Sequence, residues 1–354
     1  MDAAKTQIIV FDWGNTLMQV FPEYTGAMVN WQRVAEVPGA RQALSTLAGK
    51  YRLVVATNAA DSSSTQVRAA LDRVGLGEHI EMVLTRHELM ACKPSREFFN
   101  ALALKLGANH ADLIFVGDEF VNDVMGPHSA GWRTIWLNPG RRLAPEAHPI
   151  QDAELQNLHQ LPDVLECGFL PSVAECLVWL KQYGGSDSLL GHVRKVAAIA
   201  YAIAVQIGRC GVNVNPILAH RGGLLHDLAK GIARHDRSGK NHGELAAEIL
   251  LAHHQSSLSE IARRHILFGI LDDAIKPRTW EEKLVYYADK WVEGGSLVGL
   301  TERIQALRRR YNLDGDKLEK TWVLLREIEG EIQSAAGMSE TEFTVYLQDS
   351  VEKR

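Results

Sequence analysis

Hydrophobic and polar positions alternate with one rhythm up to about residue 168 and with another after it. In the first stretch, short continuous apolar runs punctuate amphipathic segments. Ile8 to Phe11, Leu53 to Ala56, Leu113 to Val116 and Thr134 to Leu137 read as strands buried on both faces, and Asp152 to Leu155 as a short edge strand. Helical spacing falls on Ala40 to Ala48, Thr65 to Val74, Glu97 to Leu106 and Leu158 to Leu165. Strand and helix in alternation predict an α/β fold with a doubly wound parallel sheet. From Ser172 the strand signal fades and helices follow one another: Val173 to Tyr183, Leu190 to Gly208, Pro216 to Lys230, Asn241 to Leu251, Leu258 to Phe268, Thr279 to Val292, Leu297 to Tyr311 and Leu318 to Ser334. That pattern predicts an all-α helical bundle. A turn-rich loop spans Asn138 to Pro149 and a break falls near Gly168 to Pro171, so the expected domains are 1–167 and 168–354.

Composition changes this picture little. A length of 354 residues suits two domains that each bury a core. With 46% hydrophobic and 23% charged residues, the chain is an ordinary globular one. A net charge of −5 argues against a protein that coats nucleic acid or an anionic membrane. Met1 to Gln7 lacks the pattern of a signal peptide, and the longest apolar run, Val196 to Val205, is half the ~20 residues a bilayer requires. A cytoplasmic location with no membrane partner is the expectation. Cys92, Cys167, Cys176 and Cys210 lack paired metal spacing and read as reduced thiols.

Candidate chemistry sits at the C-terminal ends of the strands, where sheets of this kind bind ligands. Asp12 follows the first strand, Thr57 and Asn58 the second, and Asp118 and Asp123 the apolar run Leu113 to Val116, with Lys93 between. In this order the pieces resemble the haloacid dehalogenase (HAD) superfamily, whose fold is Rossmann-like. The resemblance implies a Mg²⁺-dependent phosphatase in which Asp12 is the nucleophile, Thr57 and Asn58 meet the phosphoryl group, Lys93 supplies positive charge, and Asp12, the Gly14 carbonyl, Asp118 and Asp123 hold the metal. An anionic nucleophile attacks an anionic phosphoryl group only when such cations offset the repulsion. One departure stands out: the family usually carries a second Asp two positions after the nucleophile as general acid and base, and Gly14 occupies that place. Loss of such a group typically removes about 10²- to 10⁴-fold in rate. The spacings also leave little room for a lid, so the site is either open to large substrates or covered by the second domain.

In the second half, Leu224-Leu225-His226-Asp227-Leu228-Ala229-Lys230 seats an imidazole and a carboxylate in an apolar run, which calls for a partner or a metal. His192 lies 34 residues before His226 and Asp289 lies 62 after Asp227, both flanked by apolar residues. His, His-Asp and Asp in this order resemble the HD superfamily of metal-dependent hydrolases. The resemblance implies a metal held by His192, His226, Asp227 and Asp289. It further implies, for dinuclear members, two more histidines, with Asp227 bridging; His242 and His265 are the candidates, and His253 and His254 the competing pair. Imidazole with carboxylate suits Mn, Fe, Co, Ni or Zn. Asp227 would then be central to catalysis, with Arg194 and Lys230 as phosphate contacts. Arg308-Arg309-Arg310 reads as a solvated helix face.

The whole reads as a metal-dependent phosphoric ester hydrolase, possibly bifunctional, acting on a small phosphorylated substrate, nucleotide-like by resemblance. Three alternatives stay open: a HAD half that senses a phosphorylated ligand and regulates the HD half, an HD half that is a di-iron oxygenase, and a phosphatase that processes nucleic-acid ends.

Overall fold

A computed structural model describes residues 7–233, 235–293, 295–311 and 315–351. The polar start, residues 1–6, and the side chain of Arg310 lie outside the described residues. The chain forms two compact units: Met1–Gly140 with Ile150–Phe169, and Arg141–Pro149 with Leu170–Arg354. The loop 141–149, expected from the sequence to belong to the first domain, therefore packs with the second unit.

The first unit runs β1 (Ile8–Phe11), α1 (Ala40–Leu47), β2 (Arg52–Thr57), α2 (Ser64–Arg73), β3 (Met82–Thr85), α3 (Arg86–Leu89), α4 (Arg96–Leu106), β4 (Leu113–Gly117), α5 (Gly126–Ser129), β5 (Arg133–Leu137), β6 (Ala153–Leu155) and α6 (Leu161–Cys167). All six strands are parallel, in the order β3-β2-β1-β4-β5-β6. The continuous apolar runs are needed because alternate residues feed opposite cores. Ile9 and Phe11 join a cluster with Leu44, Val67 and Leu71, while Ile8 and Val10 join one with Phe98, Phe99 and Leu102. Register then sets the site. Phe11 is paired with Val55 on one side and Val116 on the other, so β1, β2 and β4 end together and deliver Asp12, Thr57 and Asp118 to one edge.

The second unit contains α7 (Val173–Gln182), α8 (Asp187–Arg209), α9 (Pro216–Leu225), α10 (His242–Ala252), α11 (Ser256–Arg264), α12 (Trp280–Asp289), a hairpin of β7 (Val292–Glu293) and β8 (Ser296–Leu297), α13 (Gly299–Tyr311), α14 (Asp316–Ala336) and α15 (Glu340–Val351). Helix α8 is the spine and packs against α9, α12, α14 and α15. It is long and apolar enough to cross a bilayer, yet 67% of its apolar window is buried in the unit, as a core helix requires. Gly223 allows α9 to approach it, since a Cβ there would lie 2.5 Å from the Ala197 Cα. That contact brings His226 and Asp227 beside His192.

Three details depart from the expected bundle. Helix α9 stops at Leu225 instead of Lys230: amides of Leu228 and Lys230 bond three residues back, to Leu225 and Asp227, which tightens the chain into turns. The expected helix through Val292 gives way to the small hairpin, in whose connection Gly295 takes a positive φ of 88° that favours glycine. The third is an additional last helix, α15, whose apolar face is buried through Phe343 and Leu347.

Candidate metal centres

In the first unit, oxygens of Asp12, Asp118 and Asp123 lie within 4.8 Å of one another, on the wall of a cavity of about 320 Å³. Lys93 is buried against them, its Nζ 2.6 Å from both Asp12 Oδ1 and Asp123 Oδ1. Burial alone would lower the Lys93 pKa, but the two carboxylates raise it, so the side chain stays a cation. Burial, with Asp12 and Glu119 nearby, pushes Asp118 up to about 6. Burial also pushes Asp123 up to about 7, against the pull of Lys93. Clustered carboxyls that resist joint ionisation fit a divalent cation, which would relieve their repulsion.

Thr57 and Gly14 also line this cavity. A Cβ on Gly14 would meet only the Val20 Cγ2, at 3.1 Å, and Val20 is 44% exposed and free to give way. A Cβ at position 14 is thus accommodated once Val20 yields by a few tenths of an ångström. Asn58 lines the cavity too, but its amide is engaged: Nδ2 donates to the Lys93 carbonyl at 3.0 Å and Oδ1 accepts from the Lys93 amide at 2.8 Å. The substrate contact expected of Asn58 is therefore replaced by a clamp on the Lys93 backbone.

In the second unit, Asp227 is 1% exposed and its two oxygens face different histidines. Oδ1 lies 3.2 Å from His242 Nε2 and 3.4 Å from His265 Nε2. Oδ2 lies 3.5 Å from His226 Nε2 and 3.7 Å from His192 Nε2. Asp289 completes the second group, with Oδ1 3.0 Å from His192 Nε2 and 3.7 Å from His226 Nε2. Helix ends organise the cluster, because His226 and His265 cap the C-termini of α9 and α11, Asp289 ends α12 and His242 begins α10.

The hydrogen bonds behind these atoms matter as much as the distances. His226 Nδ1 is 2.8 Å from the Gly223 carbonyl and His265 Nδ1 is 2.6 Å from that of Ala262. A carbonyl only accepts, so each Nδ1 carries a proton and each Nε2 is the atom that faces the cluster; against the pull of burial, Asp227 and Asp289 push His226 up to about 9, so a metal there would displace its second proton. His226 Nε2 and Asp227 Oδ1 are buried with no hydrogen-bond partner among the described residues, and His242 Nε2 stands 3.1 Å from His265 Nε2. Burial would raise Asp227 and Asp289, yet His226 with its fellow imidazoles and, for Asp289, Lys290 hold both far below the usual carboxylate range. Imidazole nitrogens and anionic oxygens converging on one buried spot fit transition-metal cations.

The cavity in front of this cluster measures about 880 Å³. Lys230 is on its wall, with Nζ 2.5 Å from Asp227 Oδ2. Arg194 is not brought to it; that side chain is exposed on α8, away from the cluster. His253 stacks on Trp179 with ring centroids 4.2 Å apart, and neither it nor His254 joins the ligand group. Among the residues lining the cavity that the sequence pattern did not single out are His235, Lys290, Glu293 and Arg303. For Arg303 a signal existed, since it interrupts the apolar stripe Leu300, Ile304 and Leu307 at helical spacing.

Residues 4–137 match the family model of haloacid dehalogenase-like hydrolases, and residues 189–292 match that of the HD domain. Among similar proteins is an uncharacterized protein of Methanocaldococcus jannaschii, 32% identical over 40% of this chain and 89% of the relative. A pyrimidine 5'-nucleotidase of Escherichia coli is 30% identical over 36% of this chain. A tRNA (cytidine(56)-2'-O)-methyltransferase of Thermoplasma volcanium is 31% identical over 40% of it. The chain spans 56% of the nucleotidase and 42% of the methyltransferase.

Proposed function

We propose that this chain, a haloacid dehalogenase-like hydrolase domain joined to an HD domain, is a phosphohydrolase with two chemically distinct centres, of which the second is the principal catalyst. The observation that carries the reading is the division of Asp227 between two histidine pairs, Oδ1 toward His242 and His265 and Oδ2 toward His192 and His226. A donor set of this kind would hold two metal ions, His242 and His265 on one side of Asp227, His192 and His226 on the other, with Asp289 as the remaining ligand. Mn, Fe, Co, Ni and Zn all suit it. Such ions, when bound, supply Lewis acidity and water of lowered pKa at neutral pH. Lys230 offers a cation at the mouth of the cluster for a phosphate oxygen. The Gly223 and Ala262 carbonyls hold the Nδ1 atoms of His226 and His265, which leaves each Nε2 facing the cluster as the ligand atom.

The first centre is a Mg²⁺ site formed by Asp12, Asp118, Asp123 and the Gly14 carbonyl. Asp12 attacks phosphorus and the ester oxygen leaves, giving an acyl phosphate. Lys93 offsets the charge and the Thr57 hydroxyl holds a phosphoryl oxygen. Without a carboxyl at position 14, no side chain there protonates the leaving group, and turnover is slow. Relatives include a pyrimidine 5'-nucleotidase, and a nucleotide-like monophosphate is the favoured substrate class. The test is a phosphate-release screen over nucleotides, sugar phosphates and dinucleotides with wild type, Asp12→Asn and Asp227→Ala. Activity that survives Asp12→Asn and vanishes in Asp227→Ala supports the reading; activity untouched by Asp227→Ala sinks it.

A further inference from the structure

Arg303 stands on α13, beside the metal cluster and outside its ligand set. Its side chain is only 8% exposed, and it lines the 880 Å³ cavity. Burying a guanidinium this deeply is costly unless its donors are matched. One donor is: Nη1 bonds Glu293 Oε2, on strand β7. The opposite edge is not. Nε is buried and meets no hydrogen-bond acceptor among the described residues, and Nη2 lies 3.8 Å from Asp289 Oδ1, beyond hydrogen-bond distance. Nε and Nη2 are the two donors that form the side-on fork of a guanidinium. Glu293 therefore anchors one corner of the group, and the vacant fork is turned toward a carboxylate of the metal cluster.

Charge indicates what belongs in that fork. The charged residues lining the cavity are Asp227, Asp289 and Glu293 against Lys230, Lys290 and Arg303, three of each sign. Any divalent cation taken up by the cluster leaves the cavity net positive, which favours an anionic ligand. From this juxtaposition we infer that Arg303 is a bidentate seat for two oxygens of the substrate's phosphoryl group, held in place by Glu293. The inference rests on the phosphohydrolase reading of the second unit and names the residue that grips the reacting group. Lys230 and Lys290 are less suited to that grip. Lys290 Nζ already donates to Asp289 Oδ2 at 2.8 Å and to the His265 carbonyl at 2.6 Å, and Lys230 Nζ is engaged by Asp227.

The experiment uses the full chain loaded with cobalt(II), whose visible absorption in an imidazole site differs from that in an all-oxygen site. Inorganic phosphate is then titrated. In wild type the imidazole-site band shifts as phosphate binds, and the band is absent in Asp227→Ala, which assigns it to the second unit. Arg303→Gln is expected to keep the cobalt band while the phosphate midpoint rises about 10- to 100-fold, the scale of a lost charge-assisted pair. Arg303→Lys retains the Glu293 ion pair but not the fork, and is expected to fall between the two. A phosphate midpoint in Arg303→Gln within about twofold of wild type, with cobalt retained, would overturn the inference. No cobalt band in wild type would instead overturn the metal reading beneath it.

Discussion

The two residue clusters of this protein, one in each unit, are built from opposite materials. The first gathers three carboxylates and a buried lysine at the ends of parallel strands, all oxygen donors for a hard cation, and lacks a side chain at Gly14. The second gathers imidazoles and carboxylates at the ends of helices, with the Nδ1 atoms of His226 and His265 each held by a carbonyl three residues back. A strand edge brings groups together through register, so one missing residue leaves the frame intact. A helical bundle brings them together through packing, and Gly223 against Ala197 is what seats His226 and Asp227 beside His192. One cluster therefore keeps its frame with no side chain at position 14, and the other brings His192, His226, Asp227, His242, His265 and Asp289 together.

Asp227→Ala should break the contrast most severely. It removes the carboxylate shared by both histidine pairs and costs more than the about 10²-fold that loss of an outer partner costs a metal site. Metal content and phosphate release should both fall, while the first unit still binds Mg²⁺. Gly14→Asp should sharpen the contrast from the other side. With Val20 free to yield, the added Cβ is accommodated, and the Asp12-dependent rate is expected to rise by about 10²- to 10⁴-fold. A rise that persists in Asp12→Asn would show that the gain arises elsewhere. Arg194→Ala is expected to change the kcat/KM of the second centre by less than about twofold, since the side chain is outside the cavity.

The smallest effect concerns stability. Asp118 and Asp123, pushed up to about 6 and about 7, bind more protons in the folded chain than in the unfolded one between the ordinary Asp value and those levels. Folding of the first unit in chelator should therefore weaken as pH rises from about 4 to about 7, and Mg²⁺ should flatten that slope. Thermal melts at pH 5 and pH 7.5, with chelator and with Mg²⁺, read the difference directly.

The sheet was legible because strands buried on both faces leave continuous apolar runs, and the runs that become β1, β2 and β4 each end in the polar residue they deliver. Helix identity in the second unit was also legible, but not the helix ends. The turn after Leu225 and the hairpin at Val292–Leu297 depend on short-range backbone bonds that hydrophobic periodicity does not report. Adjacent His226 and Asp227 in an apolar run pointed to the cluster. Arg194 misled because nearness to His192 along a helix does not place two residues on one face. Asn58 misled because a polar residue at a strand end serves the backbone as readily as a ligand. Arg303 escaped notice among the arginines of α13, although the stripe of Leu300, Ile304 and Leu307 set it apart.

The central claim is that the second unit holds a pair of ions bridged by Asp227. Elemental analysis of the purified full chain tests it most directly, comparing wild type with Asp227→Ala after removal of loosely held metal. About two transition-metal ions per wild-type chain, falling below about one in the variant, is the expected result. A wild-type chain without transition metal, or a content that Asp227→Ala leaves unchanged, would contradict the account.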